Sequence, residues 1–216
     1  MTTERFAPRV DPRPLDEPWR EATWPLPEGL VLRGEHVTLS RSVPEDAYEL
    51  FGALDDDAVW AHVAGRPAHA DELGRTLADA PGTGRYPWTV RHGTRIVGTT
   101  SYLDVSARDA RVEIGSTTYA RSVWGTPVNP ECKLLLMGWA FDHGFGRVQL
   151  KTDVRNARSQ QAIARLGAQY EGVLRRYQRR TDGTVRDTVM FSVTAEEWPV
   201  VRAGLQARLA LFAKVV

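Results

Sequence analysis

Apolar and polar positions recur along this chain at two periods, and each change of period marks an element. Val31 and then His36–Arg41 (HVTLSR) show two-residue alternation, which predicts an opening strand pair or one interrupted strand. Ser42 followed by Glu45 reads as a capping box before a helix over Pro44–Leu54. Within it Ala47, Leu50, Phe51 and Leu54 form an apolar stripe at helical spacing. A second helix is predicted over His69–Ala80, closed by Pro81. The two-residue period returns over Tyr86–Arg91, Thr94–Val105 and Ala110–Thr118. His92-Gly93 is a tight-turn signal, so these strands form an antiparallel meander.

After Thr118 the texture changes. Residues 119–129 read as a loop, and a helix follows over Pro130–His143. Asn129 is its expected N-cap, Pro130 its first helical residue, and Glu131 lies near the positive helix end. Gly144 is its terminator. Val148–Asp153 is a strand. Ala157–Leu166 is a helix capped by Asn156 and ended by Gly167. Strands at Ala168–Arg176 and Val185–Val193 flank an Asp182-Gly183 turn, and Glu196–Leu211 is a final amphipathic helix. Strand–helix–strand–helix after an antiparallel meander predicts an α/β (α+β) chain with a central mixed sheet. Six of the 13 prolines lie in the first 27 residues, which predicts an extended arm. Trp19 and Trp24 suggest that the arm lies on the body. Charges alternate there and no apolar stretch follows, unlike a secretion signal. The expected organisation is an arm over 1–29, one domain over 30–195, and a C-terminal helix over 196–216 packed on it.

Composition narrows the chemistry. The 216 residues hold 28 Lys+Arg and 27 Asp+Glu, a net charge of +1. Such balance gives no broad attraction to nucleic acid or an anionic membrane, so neither is an expected partner. The longest apolar run, Leu134 to Phe141, is far short of the roughly 20 residues a membrane helix needs. The single cysteine, Cys132, excludes an internal disulfide, and a reducing cytoplasm is the simplest compartment. The five histidines show no ligand spacing, so no metal is expected.

Two segments can carry a site. The loop from Ser122 to Glu131 enters a helix N-terminus, where free backbone N–H groups and the helix dipole favour an anion. Gly125 permits close backbone approach, while Pro127 and Pro130 remove donors. An ordinary strand–helix connection fits the same residues. The second segment is Asp153–Gly167, where Asn156 and Ser159 sit at a helix start and capping alone accounts for either.

Read together and in order, these segments resemble the GNAT superfamily of acyl-CoA N-acyltransferases, in its Rim-type branch, over roughly residues 30–195. Leu32-Arg33-Gly34 through Arg41 and Pro44-Glu45-Asp46-Ala47 look like the family's opening strand and helix. Val112-Glu113-Ile114-Gly115 resembles its fourth strand, and Trp124-Gly125-Thr126 with Asn129–Lys133 its pyrophosphate loop. Arg147-Val148, Asn156-Ala157-Arg158-Ser159 and Arg165-Leu166-Gly167-Ala168 resemble the next strand and helix. Glu171–Arg175 and Arg186–Val189 resemble the closing hairpin.

The resemblance implies the GNAT fold, a mostly antiparallel mixed sheet with a V-shaped splay at the cofactor site. It implies acetyl-CoA as cosubstrate and an amine acceptor, either a protein N-terminus or a small molecule, in a monomer or homodimer. By the same resemblance the cofactor's pyrophosphate falls to Trp124, Gly125, Thr126, Val128 and Asn129. Its pantetheine arm falls to Thr117, Thr118, Tyr119 and Asn156, with the Ser159 hydroxyl near the thiol. Two positions depart from the family pattern. Pro127 stands where a second loop glycine is usual, and Ile163 where many members carry a proton-donating Tyr. They leave open a second reading, a CoA-binding module with weak or no turnover.

The reaction implied is direct attack of a neutral amine on the thioester. An α-amine with a pKa near 8 needs only a modest base, and backbone N–H groups at the family's fourth strand would stabilise the oxyanion. Glu113 is the candidate base because Val112 and Ile114 share one strand face and Glu113 takes the other. A surface carboxylate paired to an arginine is its alternative. Ser159 is the candidate acid or thiolate hydrogen-bond donor, and Glu171 a weaker candidate base. Cys132 in the first turn of a helix would favour a thiolate, but the family does not use covalent catalysis. Arg175, Arg176, Arg179, Arg180 and Arg186 flank the Asp182-Gly183 turn and are candidates for acidic groups of an acceptor or the cofactor's 3′-phosphate. Trp60, Trp88, Trp124 and Trp139 are candidates for an acceptor pocket or for the core.

Overall fold

Period-two segments become strands here because each buries alternate side chains under helices. In the computed structural model, residues 7, 8, 10, 11 and 21–213 are described. The strands are β1 (Val31–Arg33), β2 (Thr38–Arg41), β3 (Tyr86–His92), β4 (Arg95–Ser106), β5 (Arg111–Tyr119), β6 (Arg147–Asp153), β7 (Gln169–Arg179) and β8 (Val185–Thr194). They form one sheet in the order β1-β2-β3-β4-β5-β6-β8-β7. Every neighbouring pair is antiparallel except β5–β6. The helices are α1 (Ala47–Ala53), α2 (Asp57–Trp60), α3 (Ala70–Asp79), α4 (Val128–Asp142), α5 (Ala157–Ala164) and α6 (Trp198–Ala213). This is the mixed, mostly antiparallel sheet flanked by helices that the sequence led us to expect.

The main core joins Val112, Ile114, Val148, Leu150, Val189 and Val193 of the sheet to Leu136, Met137 and Ala140 of α4 and Val201 and Leu205 of α6. Trp198 of α6 stacks on Phe141 of α4 at 5.2 Å. A smaller cluster packs α1 and α3 against Ile96 of β4. Trp24 inserts edge-on between Tyr86 (4.8 Å) and Phe145 (6.1 Å), so that part of the proline-rich segment lies on the body. Most of the arm, Trp19 included, lies outside the described residues.

Several local expectations give way to longer-range contacts. The expected capping box at Ser42 does not form. The Ser42 hydroxyl accepts from Thr89 Oγ1 (2.9 Å), and Asp46 accepts from the Val43 N–H (3.2 Å) to start a 3-10 turn before α1. The short α2 carries no periodic signal; its four residues are capped by Asp56, which accepts from the Ala58 N–H (2.8 Å). Helix α4 starts at Val128, two residues before the expected Pro130. Asn129 is therefore inside the first turn, not at its cap. Pro127 precedes the helix with φ −66, already helical, so no capping side chain is needed there.

Glu131 does more than face a helix dipole. Its buried carboxylate accepts three backbone N–H groups of the β1–β2 turn, from Glu35 (2.9 Å), His36 (2.7 Å) and Val37 (2.7 Å). Gly34 makes room for it, since a Cβ there would lie 2.3 Å from the Glu131 carboxyl carbon. Glu131→Ala strands these donors and should lower unfolding stability by about 3 kcal/mol, read as the shift of a urea unfolding midpoint. Gly34→Ala should lower it as well. An unshifted midpoint in both variants would show that the turn holds itself.

Candidate active site

Strands β5 and β6 pair over only three positions, Arg111↔Arg147, Val112↔Val148 and Glu113↔Gln149. Beyond Glu113 they part. The divergence starts at a bulge: Thr99 pairs with Thr118 and Ser101 with Gly115, so Thr100 opposes both Ser116 and Thr117. Ser116 takes φ 45, a conformation that bends β5 away. A cleft of about 430 Å³ opens in the gap. One wall is Glu113–Tyr119, the other Leu150–Asp153, and the start of α4 and the inner side of α5 close its end.

The predicted residues fall into place unequally. Thr117, Thr118, Tyr119, Trp124, Gly125, Thr126, Asn129, Asn156 and Ser159 all line this cleft, as does Glu113. Val128 does not. Its side chain is buried in the core, and its N–H donates to Thr126 Oγ1 (3.4 Å), because the early helix start turns it inward. Gly125 has φ +77, which a side chain would strain. The N–H groups of Gly125 and Asn129 make no hydrogen bond among the described residues. Trp124 donates its ring N–H to the Tyr119 carbonyl (3.0 Å), and Arg158 stacks on its indole at 3.5 Å. Asn156 caps α5 by accepting from the Ser159 N–H (3.0 Å). The Ser159 hydroxyl makes no hydrogen bond among the described residues. Ile163 presents an apolar face to the cleft.

Glu113 is neither exposed nor paired to an arginine. It is buried, with Oε2 2.5 Å from Lys151 Nζ, and Lys151 also reaches Asp104 (3.1 Å). Burial raises the proton affinity of Glu113, while Lys151 opposes that rise. Gly115 leaves space for this carboxylate, since a Cβ there would lie 2.8 Å from Glu113 Oε1.

Other expectations are corrected. Glu171 points away from the cleft into a two-bond pair with Arg147 (2.6 and 2.5 Å) and accepts from Ser192 Oγ (2.7 Å). Arg147 holds its carboxyl below the usual range, so it is a poor base. Cys132, for which no covalent part is expected, is indeed a fully buried packing residue, and burial pushes its thiol up to about 12. Trp88 and Trp139 are core residues, and Trp60 packs on the smaller cluster, leaving Trp124 alone of the four on the cleft. Of the five hairpin arginines only Arg186 lines it.

Sequence reasoning missed Lys133. It is buried in α4, lines the cleft at the bulge, and donates to Thr100 Oγ1 (3.0 Å) and Thr117 Oγ1 (2.9 Å). No carboxylate pairs with it among the described residues. Its neighbours Glu131 and Cys132 gave no local signal, since all three are buried around an inserted helix end. The cleft lining as a whole carries six cations, Lys133, Lys151, Arg158, Arg165, Arg186 and Arg208, against the two carboxylates Glu113 and Asp153. A chain of net charge +1 has thus gathered its positive charge in one place.

The comparisons agree with this geometry. Residues 36–169 match the model of the acetyltransferase (GNAT) domain. The chain is 26% identical over 176 residues to the uncharacterized N-acetyltransferase p20 of Bacillus licheniformis, covering 78% of this chain and 98% of p20. A solved structure from T. thermophilus, classed provisionally as an acetyltransferase, is 37% identical with a TM-score of 0.78, covering 87% of this chain and all of that one (100%). Mycobacterium smegmatis RimJ, solved in complex with CoA-disulfide, shares the fold at 21% identity and a TM-score of 0.69, covering 80% of this chain and 88% of its own.

Burial holds the Lys133 ammonium at about 8, below its ordinary 10.5. Between those values the unfolded chain binds one more proton than the folded one, so this residue makes stability rise with pH across that window. Lys133→Met should flatten the rise in urea unfolding compared at about pH 7.5 and pH 10. An equal slope in both proteins would mean that Lys133 is solvated in the folded state.

Proposed function

The chain belongs to the GNAT acetyltransferase family and is an acyltransferase, and we propose that it is an acetyl-CoA-dependent N-acetyltransferase acting on a primary amine by direct attack in a ternary complex. The observation that carries this reading is the cationic cleft at the point where β5 leaves β6. An unpaired strand edge, free helix-start N–H groups and excess positive charge suit a ligand with an amide-bearing arm and phosphates. Acetyl-CoA, when bound, supplies the acyl group as a thioester.

The chain's own groups have distinct parts in this reading. The N–H groups of Gly125 and Asn129 hold the pyrophosphate, with Arg158 beside them. The free edge of β5 from Thr117 to Tyr119 receives the pantetheine arm, and Asn156 fixes the start of α5 against it. Lys133 contributes positive charge at the bend, with Thr117 in between. Glu113, in which Lys151 opposes the effect of burial, accepts a proton from the amine directly or through water. The Ser159 hydroxyl donates a hydrogen bond to the departing sulfur, the part that Ile163 cannot take. The fold shared with RimJ fits the Rim-type branch, which includes enzymes that act on protein N-termini. The acceptor is otherwise a small amine.

A thiol-release assay with acetyl-CoA and an amine panel tests this. Turnover is expected, falling roughly 100-fold in Glu113→Gln and roughly tenfold in Ser159→Ala, the range of general acid–base contributions. Tight CoA binding with no turnover on any amine would favour a non-catalytic module, and neither binding nor turnover would sink both readings. Lys133 is charged below about 8 and neutral above it. Calorimetric affinity for CoA should therefore weaken as pH rises through about 8 in the wild type, and less so in Lys133→Met.

A further inference from the structure

Of the hairpin arginines, one lines the cleft and has nothing to bind among the described residues. Arg180, which the sequence groups with it, is taken by Asp153, at 2.6 Å through Nε and 2.8 Å through a terminal nitrogen. Arg175, Arg176 and Arg179 are exposed on the hairpin and do not reach the cleft. Arg186 is half-buried, lines the cleft, and has its Nε shut away from solvent with no hydrogen-bond partner. The carboxylates that act on it through space, Asp153 and Glu113, are already held by Arg180 and by Lys151. A desolvated N–H donor without an acceptor is costly and uncommon in a folded protein. A ligand in the cleft cannot reach that atom, but the terminal nitrogens of Arg186 also make no hydrogen bond among the described residues and are not shut away, so they are left for a ligand.

We infer that the acceptor amine carries a carboxylate a few atoms from its nitrogen, and that Arg186 receives this carboxylate while the nitrogen faces Glu113. The inference rests on the acetyltransferase reading above. The two terminal nitrogens of a guanidinium form a planar fork that matches the two oxygens of a carboxylate. Gln178 stands opposite Arg186 in the β7–β8 register and also lines the cleft, so an amide flanks the same spot. The cofactor's phosphates belong at the other end, at the α4 start and Arg158, and do not compete for Arg186. The acceptor class is therefore a free amino acid or a similar small amino-carboxylate. A peptide N-terminus has its first carboxyl tied in an amide bond and leaves Arg186 unsatisfied.

The test is the thiol-release assay with full-length enzyme, acetyl-CoA, and three matched sets: α-, β- and γ-amino acids, their primary amides, and short peptides. At least one acid should exceed its own amide at least tenfold in kcat/KM. Arg186→Gln should erase that preference by raising KM for the acid at least tenfold, leaving KM for the amide and for acetyl-CoA within twofold. Arg186→Lys should keep part of it. The unchanged acetyl-CoA value shows that the variants are folded. Amides or peptides matching the acids in the wild type would overturn the inference, as would an equal loss for all acceptors in Arg186→Gln. Turnover without a carboxylate preference sinks this inference alone. Absence of both CoA binding and turnover sinks the acetyltransferase reading and this one with it.

Discussion

Two buried charges, two residues apart on α4, fix where the helix enters the sheet. Glu131 reaches outward to three N–H groups of the β1–β2 turn, and Lys133 reaches the other way to the hydroxyls of Thr100 and Thr117. A buried charge held by several hydrogen bonds tolerates little displacement, because each lost bond leaves a desolvated group behind. The helix start is thereby tied both to the far edge of the sheet and to the β4–β5 bulge. The loop before it, from Trp124 to Pro127, inherits that position, and so do the free N–H groups of Gly125 and Asn129. The placement of the anion-binding end thus follows from side chains that face away from it.

The same bulge opens the cleft. With Ser116 at φ 45, β5 leaves the register it keeps with β6 over three positions. Its outer edge then has neither a strand partner nor a covering helix, a state that soluble sheets normally avoid. Trp124 relieves part of it by donating to the Tyr119 carbonyl, and the rest faces the cleft. Lys133 braces the bulge through Thr117, so one residue both stabilises the divergence and charges the space it creates. This double part explains why a lysine is retained where an apolar side chain would pack with less desolvation.

Element types were readable from the chain because they depend on neighbours a few residues apart. The meander over 86–118, the α5 cap at Asn156 and the turns at Gly93 and Gly183 follow from local period and turn chemistry. What escaped depends on distance. Glu131 binds residues 94 to 96 positions earlier, and Glu171 is silenced by Arg147, 24 positions away. A helical hydrophobic period marks one buried face, whereas the start of α4 is buried all round, so nothing local separates the parts of Glu131 and Lys133 from those of surface charges. Five arginines around one turn looked equivalent, and only the cross-strand register separates Arg180, spent on Asp153, from Arg186. Glu113 was found because strand alternation is itself local, but its partner was not, since Lys151 comes from another strand.

That partner shapes what Glu113 can do. Burial alone raises the proton affinity of a carboxylate. Lys151 at 2.5 Å opposes this, while Asp104, 3.1 Å from the same ammonium and in reach of Glu113, adds a second negative charge that raises it further. The Tyr177 ring lies 5.1 Å from the same ammonium and adds a further weak hold. The balance still leaves the proton affinity of Glu113 above that of an ordinary carboxylate, the direction a proton acceptor needs. In the proposed reaction such a carboxylate takes a proton while Lys151 stays charged between it and Asp104, and the three groups go from one net negative charge to none.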